Sequence, residues 1–416
     1  MVFFYPVLEV KVMNATGILI KQLRLQRNFS QEGLAKGICA ASYLSKIEQG
    51  QADPSPEIID RLFSALGVEY CREKEMIKQA KQHLEAYYEY RDQDEREDTA
   101  VQWLDANLPA LKYSALSLWV DIYHACRALE VPDLIEARRY LEALKPLEAQ
   151  MDAEQLYRYY LCSAEAAEDW EAALALVKKA ARQNPCAHVY WALTYLQFYL
   201  GQYSQCVDTA EKAYSLGAEE GDLYAMIWSS FLLASCYTER NLELAETYYR
   251  RAIRLSGKSQ LRMKQFAAYN LGASYMEWGK QEQALHWLEQ TEDVPNEHSH
   301  NLLRRQKLAI LYADLDRRSE AVQLLEEAEQ MLRVLRADPK WKDDCFGEMI
   351  RFARLLAENT RTDQEFEQVT RELYERKNLG FGFRRFYGLY LVDLYRSQRK
   401  YKDALRIMEE IQTELS

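Results

Sequence analysis

Small hydroxyl side chains and a cation lie close together between residues 30 and 46. Ser30 and Gln31 can reach a phosphate oxygen, through their side chains or through backbone N–H groups. Lys46 is long enough to reach a base edge or a phosphate. The candidate DNA-contacting residues are Ser30, Gln31, Ala40, Ala41, Ser42, Tyr43, Ser45 and Lys46. Because most of them are small, we expect Lys46 to dominate, with DNA shape and half-site spacing supplying much of the specificity.

Two short helices and a tight break must position these side chains. Ser30 is a suitable N-cap for a first helix, which ends at a break over residues 37–39. A second helix over about 40–49 turns Leu44 and Ile47 to one buried face. Its other face is then free to enter the major groove of duplex DNA. This pattern predicts a helix-turn-helix.

The stretch Phe29–Gly50 resembles the lambda-repressor-like (XRE/Cro) DNA-binding domain. Leu19–Asn28 supplies the preceding helix of that domain, and Pro54–Val68 supplies the following one. The usual turn of the family is one residue longer and has glycine where this chain has Cys39. The shorter turn resembles the peptide-pheromone receptors of Gram-positive bacteria, the Rap, Rgg, NprR, PlcR and PrgX group. In length the chain is most similar to NprR.

Charge is unevenly distributed along the chain. The whole sequence has a net charge of −11, yet residues 14–50 carry five lysines and arginines against two glutamates. A small basic head on an acidic body favours local phosphate contact and argues against general coating of nucleic acid. The family resemblance further implies that Arg24 and Glu48 form a structural ion pair.

A repeat organises the rest of the chain. Leu271–Thr291 has the tetratricopeptide signature, in which the small residues Gly272 and Ala284 let two helices touch. A small residue recurs in phase at Ala137, Ala173, Cys206, Ala245, Ala284 and Ala321. Ala100 opens this series, Ala404 closes it, and residues 346–369 form a degenerate unit. The predicted fold is therefore all-α: a helix-turn-helix domain followed by a right-handed tetratricopeptide-repeat superhelix of about nine repeats.

Aromatic and amide side chains occupy repeat positions that line the groove of such a superhelix. The candidate peptide-contacting residues are Trp191, Tyr195, Phe198, Trp228, Phe231, Phe266, Tyr269, Asn270, Gln306 and Lys307. Rings can take the side chains of an extended peptide. The segment Tyr269–Gly272 resembles the repeats of the pheromone receptors, and this resemblance implies that Asn270 binds the peptide backbone. For any single ring, packing between adjacent repeats is the favoured alternative, so Asn270 and Lys307 are the stronger candidates.

Motifs for other chemistry are absent from the sequence. It contains no Gly-rich phosphate loop and no nucleophile–base arrangement with supporting context, so we expect no enzyme activity, cofactor or metal ligand. The eight cysteines lack metal-ligand spacing and fall among apolar residues, which indicates buried free thiols in a reducing cytosol. No apolar run reaches the roughly 18 residues that span a bilayer.

We expect four segments: a disordered extension over 1–12, the helix-turn-helix domain over 13–70, a linker helix over 71–98, and a peptide-binding and dimerisation domain over 99–416. The resemblance implies a cytosolic quorum-sensing transcriptional regulator. It would bind a palindromic promoter operator as a homodimer or higher oligomer, under the control of a short signalling peptide. Two alternatives stay open: a Rap-like binding protein or phosphatase acting on a sporulation response regulator, and a phage or mobile-element repressor.

Overall fold

The structure is a computed structural model that describes residues 12–92, 98–131, 133–258, 260–337, 345–358, 363–376 and 381–415. Nearly all of the expected N-terminal extension therefore lies outside the described residues. The regular structure of the described ranges is helical, apart from one isolated bridge between Cys71 and Ser114. No described helix combines the length and the apolar character needed to cross a membrane.

Four helices form the N-terminal domain. They are α1 (Val12–Gln26), α2 (Gln31–Ala35), α3 (Ala41–Glu48) and α4 (Pro56–Ala65). The predicted N-cap is confirmed, because the Ser30 hydroxyl accepts a hydrogen bond from the Gly33 N–H at 2.9 Å. Gly37 follows α2 with φ 75°, and Gly50 follows α3 with φ 67°. Glycine adopts this left-handed conformation without strain, so both short helices end where the sequence predicts.

Nine successive pairs of helices follow within the described residues. In chain order they are α5 (Lys74–Asp92) and α6 (Asp98–Leu111), α7 (Ser117–Glu130) and α8 (Leu134–Leu144), α9 (Ala153–Glu165) and α10 (Trp170–Gln183), α11 (Ala187–Tyr199) and α12 (Tyr203–Glu220), α13 (Leu223–Tyr237) and α14 (Leu242–Ser256), α15 (Leu261–Glu277) and α16 (Gln281–Glu289), α17 (His298–Asp314) and α18 (Arg318–Leu335), α19 (Phe346–Ala357) and α20 (Asp363–Glu375), and α21 (Phe381–Ser397) and α22 (Tyr401–Leu415). A 3₁₀ turn over Lys145–Gln150 follows α8. This confirms the predicted number of repeats.

The small residues that define the repeat are buried where the second helix of each pair packs. These are Ala100, Ala137, Ala173, Cys206, Ala245, Ala284, Ala321 and Ala404. A Cβ placed on Gly272 would lie 2.7 Å from the Leu288 side chain, so α15 and α16 approach too closely for any other residue. In the degenerate pair, α19 and α20 pack through the stacked rings of Phe352 and Phe366, whose centroids are 5.3 Å apart.

The chain divides into two compact units, residues 1–232 and residues 233–416. In the first unit, the N-terminal domain packs directly on the first pairs: Ile18 of α1 belongs to the same buried cluster as Leu84 and Trp119. The Cys71 N–H also donates to the Tyr113 carbonyl at 2.8 Å. Helix α5, which the sequence argument treats as a linker, packs against α6 as the first helix of the first pair.

The expectation of free thiols is wrong for two of the eight cysteines. Cys126 and Cys162 form a disulfide, with their Cα atoms 6.0 Å apart. They occupy the same repeat position on α7 and α9, which pack against each other, so the side chains face across one helix–helix contact. The remaining cysteines keep unoxidised thiols: Cys39, Cys71, Cys186, Cys206, Cys236 and Cys345.

Candidate nucleic-acid interface and peptide site

Helix α3 presents a polar face to solvent. Leu44 and Ile47 are buried, as the spacing predicts, while Ser42 and Lys46 are exposed on the opposite side. Ala40, just before the helix, is also exposed. Small and cationic side chains on a protruding helix face are suited to approach base edges in the major groove.

A buried ion pair holds α3 against α1. The Arg24 guanidinium donates to both carboxylate oxygens of Glu48, at 2.6 and 3.0 Å, and to the Phe29 carbonyl at 2.9 Å. This confirms the structural pair implied by the resemblance. Hydrogen bonding to Glu48 raises the pKa of Arg24. The Gln31 amide also donates to Glu48, at 2.8 Å, so the side chain that is expected to meet phosphate is oriented by the same carboxylate.

A glycine permits the close approach of these two helices. A Cβ on Gly17 would lie 2.0 Å from the Ile47 carbonyl oxygen, so any side chain there would displace the end of α3. Arg61 of α4 donates to the Gly37 carbonyl at 2.5 Å and so supports the turn between α2 and α3. Neither Gly17 nor Arg61 was identified as a structural residue from the sequence. In the sequence, Gly17 is marked only as a glycine inside a helical pattern, and Arg61 only as a cation in the helix after the turn.

The remaining candidates on α3 already have intramolecular contacts. The Tyr43 hydroxyl donates to the Asp53 carbonyl at 3.2 Å. The Ser45 hydroxyl accepts from the Gln49 side chain at 3.2 Å. Ala41 is half-buried. Ser42 and Lys46 therefore have the greatest freedom to meet DNA.

In the first unit, the candidate peptide-contacting rings form one half-buried group, which we call the aromatic patch. It consists of Trp191, Tyr195 and Phe198 of α11 together with Trp228 and Phe231 of α13. The ring centroids of Trp191 and Trp228 lie 6.1 Å apart. Within the described residues, neither indole N–H has a hydrogen-bond partner. Both indole nitrogens are also shielded from solvent, so the patch offers half-buried apolar surface and holds two unpaired donors beneath it.

In the second unit, the candidates lie on α15 and α17. We call Phe266, Tyr269, Asn270, Gln306 and Lys307 the polar cluster. Tyr269, Gln306 and Lys307 are buried, whereas the sequence argument placed them on an open groove. The Asn270 amide donates to the Phe266 carbonyl of its own helix at 3.0 Å. Whether these side chains contact a peptide stays a prediction.

Helices α19 and α21 cover the polar cluster. The Gln306 amide lies 3.5 Å from the Met349 carbonyl and 3.4 Å from the Tyr387 hydroxyl. The Lys307 ammonium lies 3.1 Å from the centroid of the Phe386 ring, a cation–π contact. The physical reason for the unexpected burial is thus that aromatic side chains of α21 fill the space in front of α17.

Buried charge accompanies this packing. Burial lowers the pKa of Lys307 to about 8, although Glu277 opposes the shift. Burial likewise raises the pKa of Glu277. Arg385 of α21 donates to the Glu277 carboxylate at 3.2 Å, so this carboxylate compensates two cations in a site with little water.

Comparison with known proteins agrees with this architecture. Residues 20–71 match the helix-turn-helix family model. The sequence matches none of the curated proteins. The fold is similar to the apo form of the quorum sensor NprR from B. thuringiensis, with 14% identity, a TM-score of 0.62, and coverage of 83% of this chain and 99% of that chain.

Two structures of complexes have a similar fold. One is NprR in complex with its cognate peptide NprX, with 14% identity, a TM-score of 0.55, and coverage of 82% of this chain and 98% of that one. The other is a Rap protein complexed with Competence and Sporulation Factor, with 13% identity, a TM-score of 0.59, and coverage of 82% and 97%. The resemblance seen in the sequence is confirmed at the level of fold: the chain joins a helix-turn-helix domain to the helical-repeat fold of NprR and the Rap proteins.

Proposed function

We propose that this chain is a peptide-responsive transcriptional regulator of the pheromone-receptor group. One observation carries the proposal: α3 presents Ser42 and Lys46 to solvent while the buried Arg24–Glu48 pair fixes its orientation. A helix held in this way can enter the major groove without rearrangement. The similarity of fold to NprR, a quorum sensor, supports the regulatory role.

On the DNA side, the chain acts as a homodimer or higher homo-oligomer on a palindromic operator. Two helix-turn-helix domains then contact half-sites about one helical turn, roughly 34 Å, apart. Ser30 and Gln31 meet the phosphate backbone, and Lys46 supplies the strongest single contact. Promoter DNA as the partner places the protein in the cytoplasm.

On the peptide side, the aromatic patch binds a short signalling peptide in an extended conformation. Half-buried rings provide apolar pockets for peptide side chains. The unpaired indole N–H groups of Trp191 and Trp228 are buried, so they can donate to peptide carbonyls once a ring rotates on binding. The peptide acts by binding one conformational state of the repeats better than another. DNA affinity shifts by no more than this difference in peptide affinity.

The DNA half of the proposal is tested with duplexes selected by the full-length protein from a randomised library. We expect a selected duplex to bind with an affinity that falls steeply with salt. Lys46→Ala should weaken binding about tenfold and reduce the salt slope by about one charge. Lys178→Ala, which removes an exposed lysine of α10, is the matched control. Equal loss in both variants, or no selected duplex at all, contradicts DNA recognition by α3.

The peptide half is tested on the same duplex. Synthetic short peptides, taken from small secreted reading frames beside the gene, are added to the protein–DNA complex in an anisotropy titration. We expect one of them to change the apparent DNA affinity at least fivefold. Indifference to every peptide, with DNA binding intact, contradicts control by a peptide and leaves a ligand-independent repressor.

A further inference from the structure

A cavity of about 250 Å³ lies in the first unit, beside the aromatic patch. It is lined by side chains of α5, α7, α9 and α11, by Asn184 and Cys186 just before α11, by Glu220 at the end of α12, and by Asp222 just before α13. The His188 ring at its wall lies 5.3 Å from Trp191, the nearest ring of the patch. A ligand on the patch could therefore extend one end into the cavity.

The cavity lining carries an excess of negative charge. Its carboxylates are Glu85, Glu89, Asp92, Glu154, Glu220 and Asp222. Among the described residues of the lining, the one arginine is Arg158, which donates to both oxygens of Asp92 at 2.7 Å and to Glu154 at 3.0 Å. Arg158 thus compensates Asp92 and Glu154, whereas Glu220 and Asp222 form no ion pair with a lysine or arginine of the described residues.

Two of these carboxylates, Glu220 and Asp222, retain capacity to accept hydrogen bonds. Glu220 accepts from the Ala187 N–H at 2.9 Å, and Asp222 accepts from the Ala225 N–H at 2.8 Å. A carboxylate has about four lone-pair sites, so each can accept further donors. Desolvation raises the pKa of both groups, although the nearby His188 opposes the shift for Asp222.

Two buried side chains at the inner wall supply an independent observation. Trp119 is 0% exposed and Tyr88 is 3% exposed. Within the described residues, neither the Trp119 indole N–H nor the Tyr88 hydroxyl has a hydrogen-bond partner, and both residues line the cavity. An indole N–H only donates, so it requires an acceptor on whatever fills the space.

These features together specify a ligand with a cation and an adjacent acceptor. A metal ion does not fit, because the described part of the chain has no group of three or more suitably placed His, Cys, Asp or Glu ligands. A simple diamine satisfies the carboxylates but offers nothing to the indole N–H. We propose that the cavity binds an α-ammonium group together with the neighbouring carbonyl oxygen, the amino end of a peptide.

This inference rests on the proposed function and deepens it. The ammonium group lies between Glu220 and Asp222, and the first carbonyl accepts from Trp119. The following side chains then lie on the aromatic patch, starting at Trp191. The free amino terminus of the peptide therefore becomes a determinant of recognition, and a peptide blocked at that end binds poorly.

The test uses the full-length protein labelled with 5-fluorotryptophan, in which the Trp119 fluorine resonance is assigned with Trp119→Phe. Three probes are titrated: alanyl-alanine amide, its N-acetyl form, and putrescine. We expect alanyl-alanine amide to shift the Trp119 resonance saturably, at a concentration at least fivefold below that of either other probe. The double variant Glu220→Gln, Asp222→Asn should remove this preference.

The charge-matched control is Asp208→Asn, Glu211→Gln, two exposed carboxylates of α12 outside the cavity, which should leave the preference unchanged. Equal shifts by the free and acetylated probes, an equal response to putrescine, or no shift overturn the inference. None of these outcomes measures DNA binding or the response to a whole peptide. A failure of the proposed function would instead be seen in the titration of the duplex, so the two failures can be distinguished. The probe comparison on the unsubstituted protein does not depend on how the variants fold.

Discussion

The aromatic patch and the polar cluster occupy equivalent repeat positions, but they differ in what already contacts them. In the patch, the rings of Trp191 and Trp228 are half-buried and their indole N–H groups lack partners within the described residues. In the cluster, Gln306 reaches α19 and α21, and the Lys307 ammonium lies over the Phe386 ring. The same position along the repeat is thus half-buried in one unit and covered by packed side chains in the other.

This difference shows that repeat position alone does not make a ligand contact. A side chain at a groove position binds a ligand only if no later helix of the same unit fills the space before it. In the second unit α21 does so, with Phe386 and Tyr387. We infer that the patch supplies most of the affinity for a ligand and that the cluster mainly stabilises its own unit. Four predictions can contradict or refine this division.

The largest effect is expected from removing the buried carboxylate of the second unit. Glu277→Gln leaves Lys307 and Arg385 as buried cations without a compensating charge, so the free energy of unfolding should fall by about 3 kcal/mol. Urea denaturation measures this change. Glu282→Gln, at an exposed position on α16, is the control and should stay within about 0.5 kcal/mol. If the two variants are equally stable, the cluster is not held together by charge.

The next effect concerns the donors of the aromatic patch. Trp191→Phe combined with Trp228→Phe keeps aromatic rings but removes both unpaired indole N–H groups. Affinity for an activating peptide should fall about tenfold, because each lost hydrogen bond contributes roughly 0.5–1.5 kcal/mol. The free energy of unfolding should fall only modestly, on the order of 1 kcal/mol, because ring volume is lost but no intramolecular hydrogen bond. Lys307→Met is the matching change in the polar cluster and should leave peptide affinity within about twofold. If Lys307→Met reduced peptide affinity more than the double tryptophan variant, the ligand site would be the polar cluster.

The pH dependence of stability should identify the buried lysine. The pKa of Lys307 is about 8 in the folded chain, below the ordinary value of 10.5. Between these two values the unfolded chain binds more protons than the folded one, so stability rises with pH across this window. We expect a gain on the order of 1 kcal/mol between pH 7.5 and 9.5. The gain, measured by urea denaturation, should be absent in Lys307→Met; an unchanged pH profile in that variant would mean that other groups cause it.

The sequence predicts the helices and their pairing better than it predicts contacts between residues that are distant in sequence. The positions of Ser30, Gly50 and the recurring small residues depend on local rules for caps and helix crossings, so the helices and their pairing follow from short patterns. The Arg24–Glu48 pair follows only from family resemblance. The support of the turn by Arg61 and the burial of Lys307 depend on residues far away in sequence, Gly37 and Phe386, which no local pattern connects.

The disulfide is another contact between distant residues that local sequence patterns did not predict. Cys126 and Cys162 are separated by 36 residues, one repeat, so the repeat register could have placed them on adjacent helices. Composition and the absence of paired spacing favoured free thiols instead. A periodic comparison of equivalent positions would have identified the pair, because in a repeat array neighbours in space are separated by one period in sequence.

The smallest predicted effect tests whether the polar cluster contributes to peptide binding. Asn270 is half-buried, and its amide nitrogen donates to the Phe266 carbonyl of its own helix. This hydrogen bond fixes the orientation of the Asn270 amide oxygen and of its second N–H. If Asn270 bonds the peptide backbone, Asn270→Ala should weaken an activating peptide by about two- to fivefold, the worth of one hydrogen bond. Ser274→Ala, one turn further along α15, is the matched control, since its hydroxyl bonds within the helix to the Asn270 carbonyl. A loss confined to Asn270→Ala would show that a residue of the polar cluster contributes to peptide affinity, whereas equal affinities for the two variants would show that Asn270 makes no specific contact with the peptide.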